Sequence, residues 1–166
     1  MTDAWKANTS AFDRVRSIAV TLDTPRNAEW ISEQALVSEN TARNHLERLV
    51  EMNILQRLEE RAVLYQPDPL YTRMRALREL LAEHDQDDLI ALRAHLLEQV
   101  EAWQAEYDVE DADELRTVAT QAASAEETRA IRQTANDWAI VAYRLRLVDD
   151  AIEHYSEYTG STPAPA

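Results

Sequence analysis

The feature that most constrains this chain is its glycine content, because 166 residues contain a single glycine, Gly160. Phosphate-cradling loops, the dinucleotide-binding fingerprint and the nucleophile elbow of hydrolases all depend on glycine at fixed positions. The sequence therefore excludes the enzyme folds that are built around those loops. The chain also contains no cysteine, which excludes disulfides, thiolate nucleophiles and cysteine-ligated zinc or iron-sulfur centres.

The four histidines show no metal-binding or catalytic pattern. His45, His84, His95 and His154 are scattered, and none follows a glutamate by three residues, the spacing used in di-iron helical bundles. No nucleophile, acid-base pair or cofactor loop can be assembled from the other residues. We therefore expect no catalytic residue, no metal site and no cofactor, and we do not expect an enzyme.

The distribution of apolar residues predicts a protein that stays in the cytoplasm. Hydrophobic residues make up 45% of the chain, which is ample for a packed core. The longest apolar run, residues 138–143, is far shorter than the roughly 20 residues that cross a bilayer. The first residues, MTDAWKANTS, lack the basic and apolar segments of a secretion signal. We expect a cytoplasmic protein without a membrane partner.

The net charge of -14 is unevenly distributed along the chain. Residues 1–66 contain eight basic and ten acidic side chains, whereas residues 67–166 contain nine and twenty-one. Electrostatic repulsion of a polyanion is therefore concentrated in the second segment, and the first is almost neutral.

The basic residues have an unusual composition, with one lysine, Lys6, and sixteen arginines. This acidic, lysine-poor pattern resembles haloarchaeal proteins, and the resemblance implies a cytoplasm of molar potassium chloride. The Debye length is about 3 Å at 1 M salt, so acidic groups away from a binding face hardly repel an approaching phosphate. The acidity then reflects the solvent rather than the partner.

Residues 9–68 are predicted to form three short helices followed by a hairpin. Thr24-Pro25 predicts the start of the second helix, with proline at its first position. Ser38 is the predicted cap of the third helix, and Asn53 its left-handed stop. Residues 54–58 and 62–66 are predicted strands, joined by a turn over 59–61 and ended by Pro67. The apolar positions expected to face the core of the first and third helices are Phe12, Val15, Ile18 and Leu22, then Ala42, Leu46, Leu49 and Val50. This order of elements predicts a winged helix-turn-helix with a small two-stranded wing.

The stretch SENTARNHLERL, within AEWISEQALVSENTARNHLERLVEMNILQRLEERAVLYQPDP, resembles winged-helix regulators of the ArsR and MarR type. The chain is most similar to a haloarchaeal family in which that domain precedes a wholly helical C-terminal region. In such relatives the third helix enters the major groove and the wing follows the adjacent DNA backbone. The resemblance implies DNA-reading positions on that helix and phosphate contacts on the wing. With Arg48 from the outward face, the implied DNA-binding set is Asn40, Thr41, Arg43, Asn44, Arg48, Arg57 and Arg61.

These residue types suit base recognition independently of the resemblance. Arginine can donate two hydrogen bonds to guanine O6 and N7, and asparagine can pair with adenine N6 and N7. Arg43 and Asn44 are therefore the first candidates for base contacts. Glu39, Glu47 and Glu51 lie on or beside the same helix, so we expect few phosphate contacts and a binding energy dominated by base readout and DNA shape.

The remaining chain is predicted to be helical, with a long last helix capped by Ser124 and Glu127 as a capping box. Its apolar residues recur every seven positions, which is typical of two helices packed at a shallow angle. The seam can pack against Leu92, Leu96 and Trp103 of the same chain, or against a second copy, and a hairpin or a dimerisation bundle would fit it. The predicted dimerisation residues are Ile131, Trp138, Val141, Leu145, Val148, Ile152 and Tyr155.

Together these observations predict a mainly α protein with three segments: a DNA-binding domain at 9–68, a helical dimerisation domain at 69–158 and a disordered tail at 159–166. The expected function is a sequence-specific transcriptional regulator that binds double-stranded DNA at a two-fold operator as a homodimer. Nothing resembles an activation domain, which favours a repressor. The alternative is a winged helix that binds protein as a transcriptional co-regulator without reading DNA. The aromatic residues of the helical segment are interpreted as core, and no effector is assigned.

Overall fold

The computed structural model describes residues 8–59 and 61–160. The chain divides between Arg75 and Ala76 into two compact units, a boundary a few residues beyond the predicted one at 68. The described chain is mainly helical with one two-stranded antiparallel sheet, as predicted. None of the helices within the described ranges is both long enough and apolar enough to cross a membrane.

The first unit begins with three short helices, α1 (Ala11–Ala19), α2 (Ala28–Ala35) and α3 (Glu39–Glu51). A reciprocal capping box between Ser10 and Asp13 starts α1. Leu36 ends α2 in the left-handed region at φ 55°, and the chain then reaches Ser38, the N-cap of α3. The three helices enclose a shared core, whose fully buried members include Val15, Ala19, Ile31, Ala35, Ala42, Leu46 and Leu49.

The predicted start of α2 at Thr24-Pro25 is wrong. Asn27 is the N-cap, and its side-chain oxygen accepts a 2.9 Å hydrogen bond from the Trp30 amide. Before it, Arg26 is paired with Tyr65 through two backbone hydrogen bonds of 3.0 and 2.7 Å. Pairing with a strand that is distant in the sequence therefore holds this segment extended, and the asparagine provides the cap instead.

A hairpin follows α3, with β1 (Leu55–Glu59) antiparallel to β2 (Val63–Pro67). Both strands lie one residue later than predicted. Asn53 adopts φ 56°, as predicted for the stop after α3, and turns the chain towards β1. Leu55 and Tyr65 are buried in the core of the three helices, which fixes the base of the hairpin. Three helices with this hairpin are consistent with a winged helix.

Helix α4 (Pro69–Glu83) contains the boundary between the units. The second unit continues with α5 (Gln86–Tyr107), α6 (Ala112–Ala119), α7 (Ala125–Glu153) and the short α8 (Tyr155–Tyr158). Asp85 caps α5 in a capping box with Asp88. On α4, Leu70 is 78% exposed and Met74 is 45% exposed, whereas Leu80 is buried.

Ser124 caps α7 as predicted, but the predicted capping box with Glu127 is wrong. The Ser124 hydroxyl accepts a 3.1 Å hydrogen bond from the Glu127 amide. The Glu127 carboxylate, however, accepts from the amide of Ala123 rather than from that of Ser124. Of the predicted tail, residues 161–166 lie outside the described residues.

Both α5 and α6 pack against α7, and the second unit has two hydrophobic clusters along this helix. One cluster contains Leu89, Leu96 and Val148, with Leu80 of α4. The other contains the aromatic pair Trp103 and Trp138, whose ring centroids are 5.7 Å apart, together with Ala112, Leu115, Ala119, Ile131 and Ala135. Trp103, Tyr107 and Trp138 thus belong to the core, as interpreted from the sequence, whereas Tyr143 is 39% exposed.

Candidate nucleic-acid interface

Helix α3 is fixed by its cap and by its buried face. The Ser38 hydroxyl accepts a 3.2 Å hydrogen bond from the Thr41 amide, and it lies 2.8 Å from the Thr41 hydroxyl. Thr41 is half-buried, so its side chain serves the cap more than the surface. Ala42, Leu46 and Leu49 are fully buried. The predicted DNA-binding residues that α3 leaves exposed are Asn40, Arg43, Asn44 and Arg48.

Arg43 already has an anionic partner on its own helix. Its guanidinium forms an ion pair with the Glu39 carboxylate one turn earlier, and the two side chains are 57% and 50% exposed. Asn40 and Asn44 lie on the same outward surface, and their amides form no side-chain hydrogen bond within residues 8–59 and 61–160. Both amides are therefore available to a base edge.

The wing is joined to α3 through Glu47. One carboxylate oxygen of Glu47 accepts a 2.6 Å hydrogen bond from the Tyr65 phenol of β2. The other lies 3.6 Å from Nη1 of Arg57 on β1, and Arg57 also pairs with Glu59 at 3.0 Å. Burial of Tyr65 and its bond to Glu47 raise the pKa of this phenol to about 12. Tyr65 stands directly opposite Arg57 in the hairpin.

The other two predicted arginines have different surroundings. The Arg48 guanidinium lies 5.2 Å from the centre of the Phe12 ring, a cation-π contact that draws it towards α1. Arg61 is exposed in the turn of the hairpin and forms no ion pair within the part of the chain that the structure describes. The predicted arginines therefore lie on one unit but differ in how much each must rearrange to meet an anion.

A groove of about 340 Å³ separates α3 from the wing and from the first turn of α2. Its lining combines three carboxylates with two guanidinium groups, so it is charged but close to neutral. This arrangement suits a polar ligand that offers both donors and acceptors, as a base edge does. The lining residues are Asn27, Ala28, Glu29, Glu39, Arg43, Glu47, Arg57, Ala62, Val63 and Tyr65.

Two side chains that hold this surface together, Arg14 and Tyr65, were not predicted from the sequence. Arg14 is 92% buried, and it donates a 2.9 Å hydrogen bond to the carbonyl of Ala35 at the end of α2 and a 2.7 Å bond to that of Thr9. Tyr65 was assigned only to a strand, although it joins β2 to α3 and to Arg26. Arg14 could have been found from the sequence, because it is an arginine within the apolar stripe of α1. Nothing in the local sequence indicated the role of Tyr65, because its partners are distant in the sequence.

The predicted dimerisation seam of α7 lies against the chain's own helices. Ile131, Trp138 and Val148 are buried in the two clusters of the second unit. The other predicted residues, Val141, Leu145, Ile152 and Tyr155, are partly buried around the cluster that contains Leu89 and Leu96. These seven residues therefore pack against helices of the same chain. Ile140, which is 65% exposed, and Tyr143, 39% exposed, are the large apolar side chains that α7 leaves at the surface.

Comparison with known proteins places the chain in a family. Residues 9–157 match the profile of a family described as "Family of unknown function (DUF7342)". The chain belongs to this family. The match spans both units and ends within α8. A search of curated proteins gave no match.

A solved chain described as "Crystal Structure of a transcriptional regulator" is 18% identical to this one. The alignment covers 93% of this chain and 90% of that chain, with a TM-score of 0.35. A TM-score this low does not establish a shared overall fold.

Proposed function

We propose that this member of the family is a sequence-specific DNA-binding transcriptional regulator. In this proposal α2, the turn at Leu36 and α3 form a helix-turn-helix, and the hairpin is its wing. It acts in the cytoplasm at high salt as a homodimeric repressor without catalytic activity, bound to a two-fold operator.

The observation that carries the proposal is the outward surface of α3. The buried side of this helix and its serine cap fix its position, while Asn40, Arg43 and Asn44 stand exposed on the other side. Arginine and asparagine are the side chains that pair in a bidentate way with guanine and adenine. Arg57 of the wing lies 3.6 Å from Glu47 of α3 and Arg61 is exposed in the turn of the hairpin, which supports phosphate contacts by both.

The charge balance supports base readout over phosphate contact. The glutamates of α3 outnumber its arginines, and Arg43 and Arg57 are paired with carboxylates. Counterion release, the usual electrostatic source of affinity, contributes little in molar salt. Specific hydrogen bonds at base edges then supply most of the discrimination.

A second candidate function follows from the same carboxylates. Because Arg43 of α3 and Arg57 of the wing are already paired with carboxylates within the chain, the surface can instead bind a protein, as a co-regulator without DNA readout. In that case Glu47 and Glu51 matter for binding, and Arg43 and Asn44 do not.

The decisive experiment is selection of duplex DNA from a random pool by the full chain in molar potassium chloride. The variant is the double substitution Arg43→Ala with Asn44→Ala. The matched control is Arg132→Ala with Asn136→Ala, which removes the same two side-chain types from the exposed surface of α7.

We expect the parent and the control to enrich the same two-fold motif, and the α3 variant to lose it while remaining folded by circular dichroism. If the folded parent enriches no motif, DNA readout is refuted and the protein-binding function is favoured.

A further inference from the structure

We propose that Glu47 and Tyr65 are positioning residues, which set the spacing between α3 and the wing and thereby decide whether Arg57 can contact DNA. This inference rests on the proposed function. It assigns a role to two residues that are not expected to touch the nucleic acid themselves.

The contact adds a polar link to the buried core that α3 and the hairpin share. The base of the hairpin is fixed by Leu55 in the core, and the amide of Ile54 donates to the carbonyl of Leu49. Further along the strands, within residues 8–59 and 61–160, the side-chain hydrogen bond and the ion pair that join α3 to the hairpin both come from Glu47. Without them the hairpin keeps its buried packing and its backbone bonds, but no polar side chain anchors it to α3 within the described residues.

Tyr65 is suited to be that anchor. Its ring is 99% buried, and its backbone is bonded on the opposite side to Arg26, so the phenol oxygen has little freedom to move. The hydrogen bond to Glu47 is 2.6 Å long, a length typical of a hydroxyl that donates to a carboxylate. A rigid donor thus fixes the rotamer of Glu47.

The bond between Tyr65 and Glu47 acts on Arg57 through the hairpin. The Arg57 guanidinium lies 3.6 Å from the other oxygen of Glu47, and it pairs at 3.0 Å with Glu59 of its own strand. Arg57 and Tyr65 are paired across the hairpin, so a displacement of one strand moves both residues. The bond between Tyr65 and Glu47 therefore places the arginine, and the arginine makes the DNA contact.

The contributions of Tyr65 and Glu47 can be distinguished by substitution, because Tyr65 supplies a hydrogen-bond donor and Glu47 supplies an acceptor and a negative charge. Tyr65→Phe removes the donor and keeps the charge of Glu47. Glu47→Gln keeps an oxygen that accepts from Tyr65 and removes the charge that attracts Arg57. A positioning role is lost in the first variant and retained in the second.

The test is a double-mutant cycle in which Arg57→Ala is introduced into the parent, into Tyr65→Phe and into Glu47→Gln. Affinity for the selected operator and its salt dependence are measured for all six proteins. In the parent, Arg57→Ala should weaken binding severalfold and reduce the salt slope by about 0.9, the loss of one phosphate contact. It should have almost no further effect in Tyr65→Phe and its full effect in Glu47→Gln.

Two results would overturn the inference. One is an Arg57→Ala effect that is as large in Tyr65→Phe as in the parent, which would show that the wing is placed without this bond. The other is an Arg57→Ala effect that disappears in Glu47→Gln as it does in Tyr65→Phe, which would show that Arg57 is placed by the charge of Glu47 alone. Glu47→Ala, a substitution at a surface position, gives an independent check and should behave as Tyr65→Phe. Failure of the parent to bind any operator would refute the proposed function instead, so the two failures are distinguishable.

Discussion

Arg14 donates from its Nε atom to the carbonyl oxygen of Ala35 at 2.9 Å, so a buried guanidinium on α1 satisfies the C-terminal end of α2. The last carbonyls of a helix lack partners within the helix, and a cation there also interacts favourably with the helix dipole. This contact holds α1 against the turn that leads into α3. The position of the proposed reading helix thus depends on a residue far from its exposed surface.

Replacement of Arg14 by alanine should destabilise the first unit. The loss of a charged hydrogen bond in a buried setting is expected to lower the free energy of unfolding by about 1.5–3 kcal/mol. Urea denaturation measures this, with Arg16→Ala as the control because Arg16 is exposed on the same helix. Equal stability of the two variants would show that Arg14 is not an anchor.

The Tyr65 phenol should give the protein a pH dependence at the alkaline end. Its pKa in the folded protein is about 12, above the value of 10.0 for an unperturbed tyrosine. Its contribution to stability is therefore complete below pH 10 and is lost as the pH rises through 12. Ultraviolet titration of tyrosinate should show one late-titrating group that is absent from Tyr65→Phe. A titration of the variant that matches the parent would contradict the assignment.

Substitution of Glu39 by glutamine should strengthen operator binding. The ion pair between Glu39 and Arg43 is exposed, and such pairs contribute about 0–1 kcal/mol, so its removal should raise affinity by at most about fivefold. When DNA displaces Glu39 from Arg43, the freed carboxylate can take up a cation, which offsets part of the counterion release from DNA. Glutamine cannot take up this cation, so the variant should have a salt slope steeper by up to about 0.9. Glu51→Gln, on the same helix, controls for the loss of one negative charge. Identical gains in both variants would rule out masking of Arg43.

Trp138 should contribute to the stability of the single chain. It is 2% exposed and packs against Trp103, so Trp138→Ala should lower the free energy of unfolding by about 3–5 kcal/mol. A thermal unfolding transition of the second unit that does not change on this substitution would contradict the packing described for α7.

The proposed dimer can be tested at the apolar side chains that α7 leaves exposed. If α7 forms the interface, Ile140→Asp should shift sedimentation towards the monomer, because a carboxylate would be buried there without a partner. Ile90 is 50% exposed on α5 and provides the matched control as Ile90→Asp. A dimer that is insensitive to both substitutions would place the interface elsewhere.

The local elements were predictable where a single residue determines them. Ser38 and Ser124 cap their helices because a serine oxygen can accept from a nearby backbone amide. Asn53 adopts the left-handed conformation that its short polar side chain tolerates. The buried positions Leu46, Leu49 and Val148 follow from helical spacing, which needs no knowledge of what covers them.

Contacts between residues distant in the sequence decided the features that could not be predicted. Pro25 was a reasonable start for α2, but pairing of Arg26 with Tyr65 kept the segment extended. Leu70 and Met74 have the spacing of a buried stripe, yet they are exposed, because α4 packs through Tyr71 in the first unit and through Leu80 in the second. Periodicity shows which residues share a face, whereas only the fold determines whether another element covers that face.

The sequence by itself determined the mainly helical class, the three helices and hairpin of the first unit, and the identity of the side chains on the outward surface of α3. Only the tertiary structure decided what those side chains meet: Arg43 is paired with Glu39, Arg57 with Glu47 and Glu59, and Glu47 with Tyr65. Periodicity and capping depend on neighbours within one or two turns, so the sequence encodes them locally. The link from α3 to the wing joins residues 18 positions apart, and it exists only after the hairpin has packed on the helices.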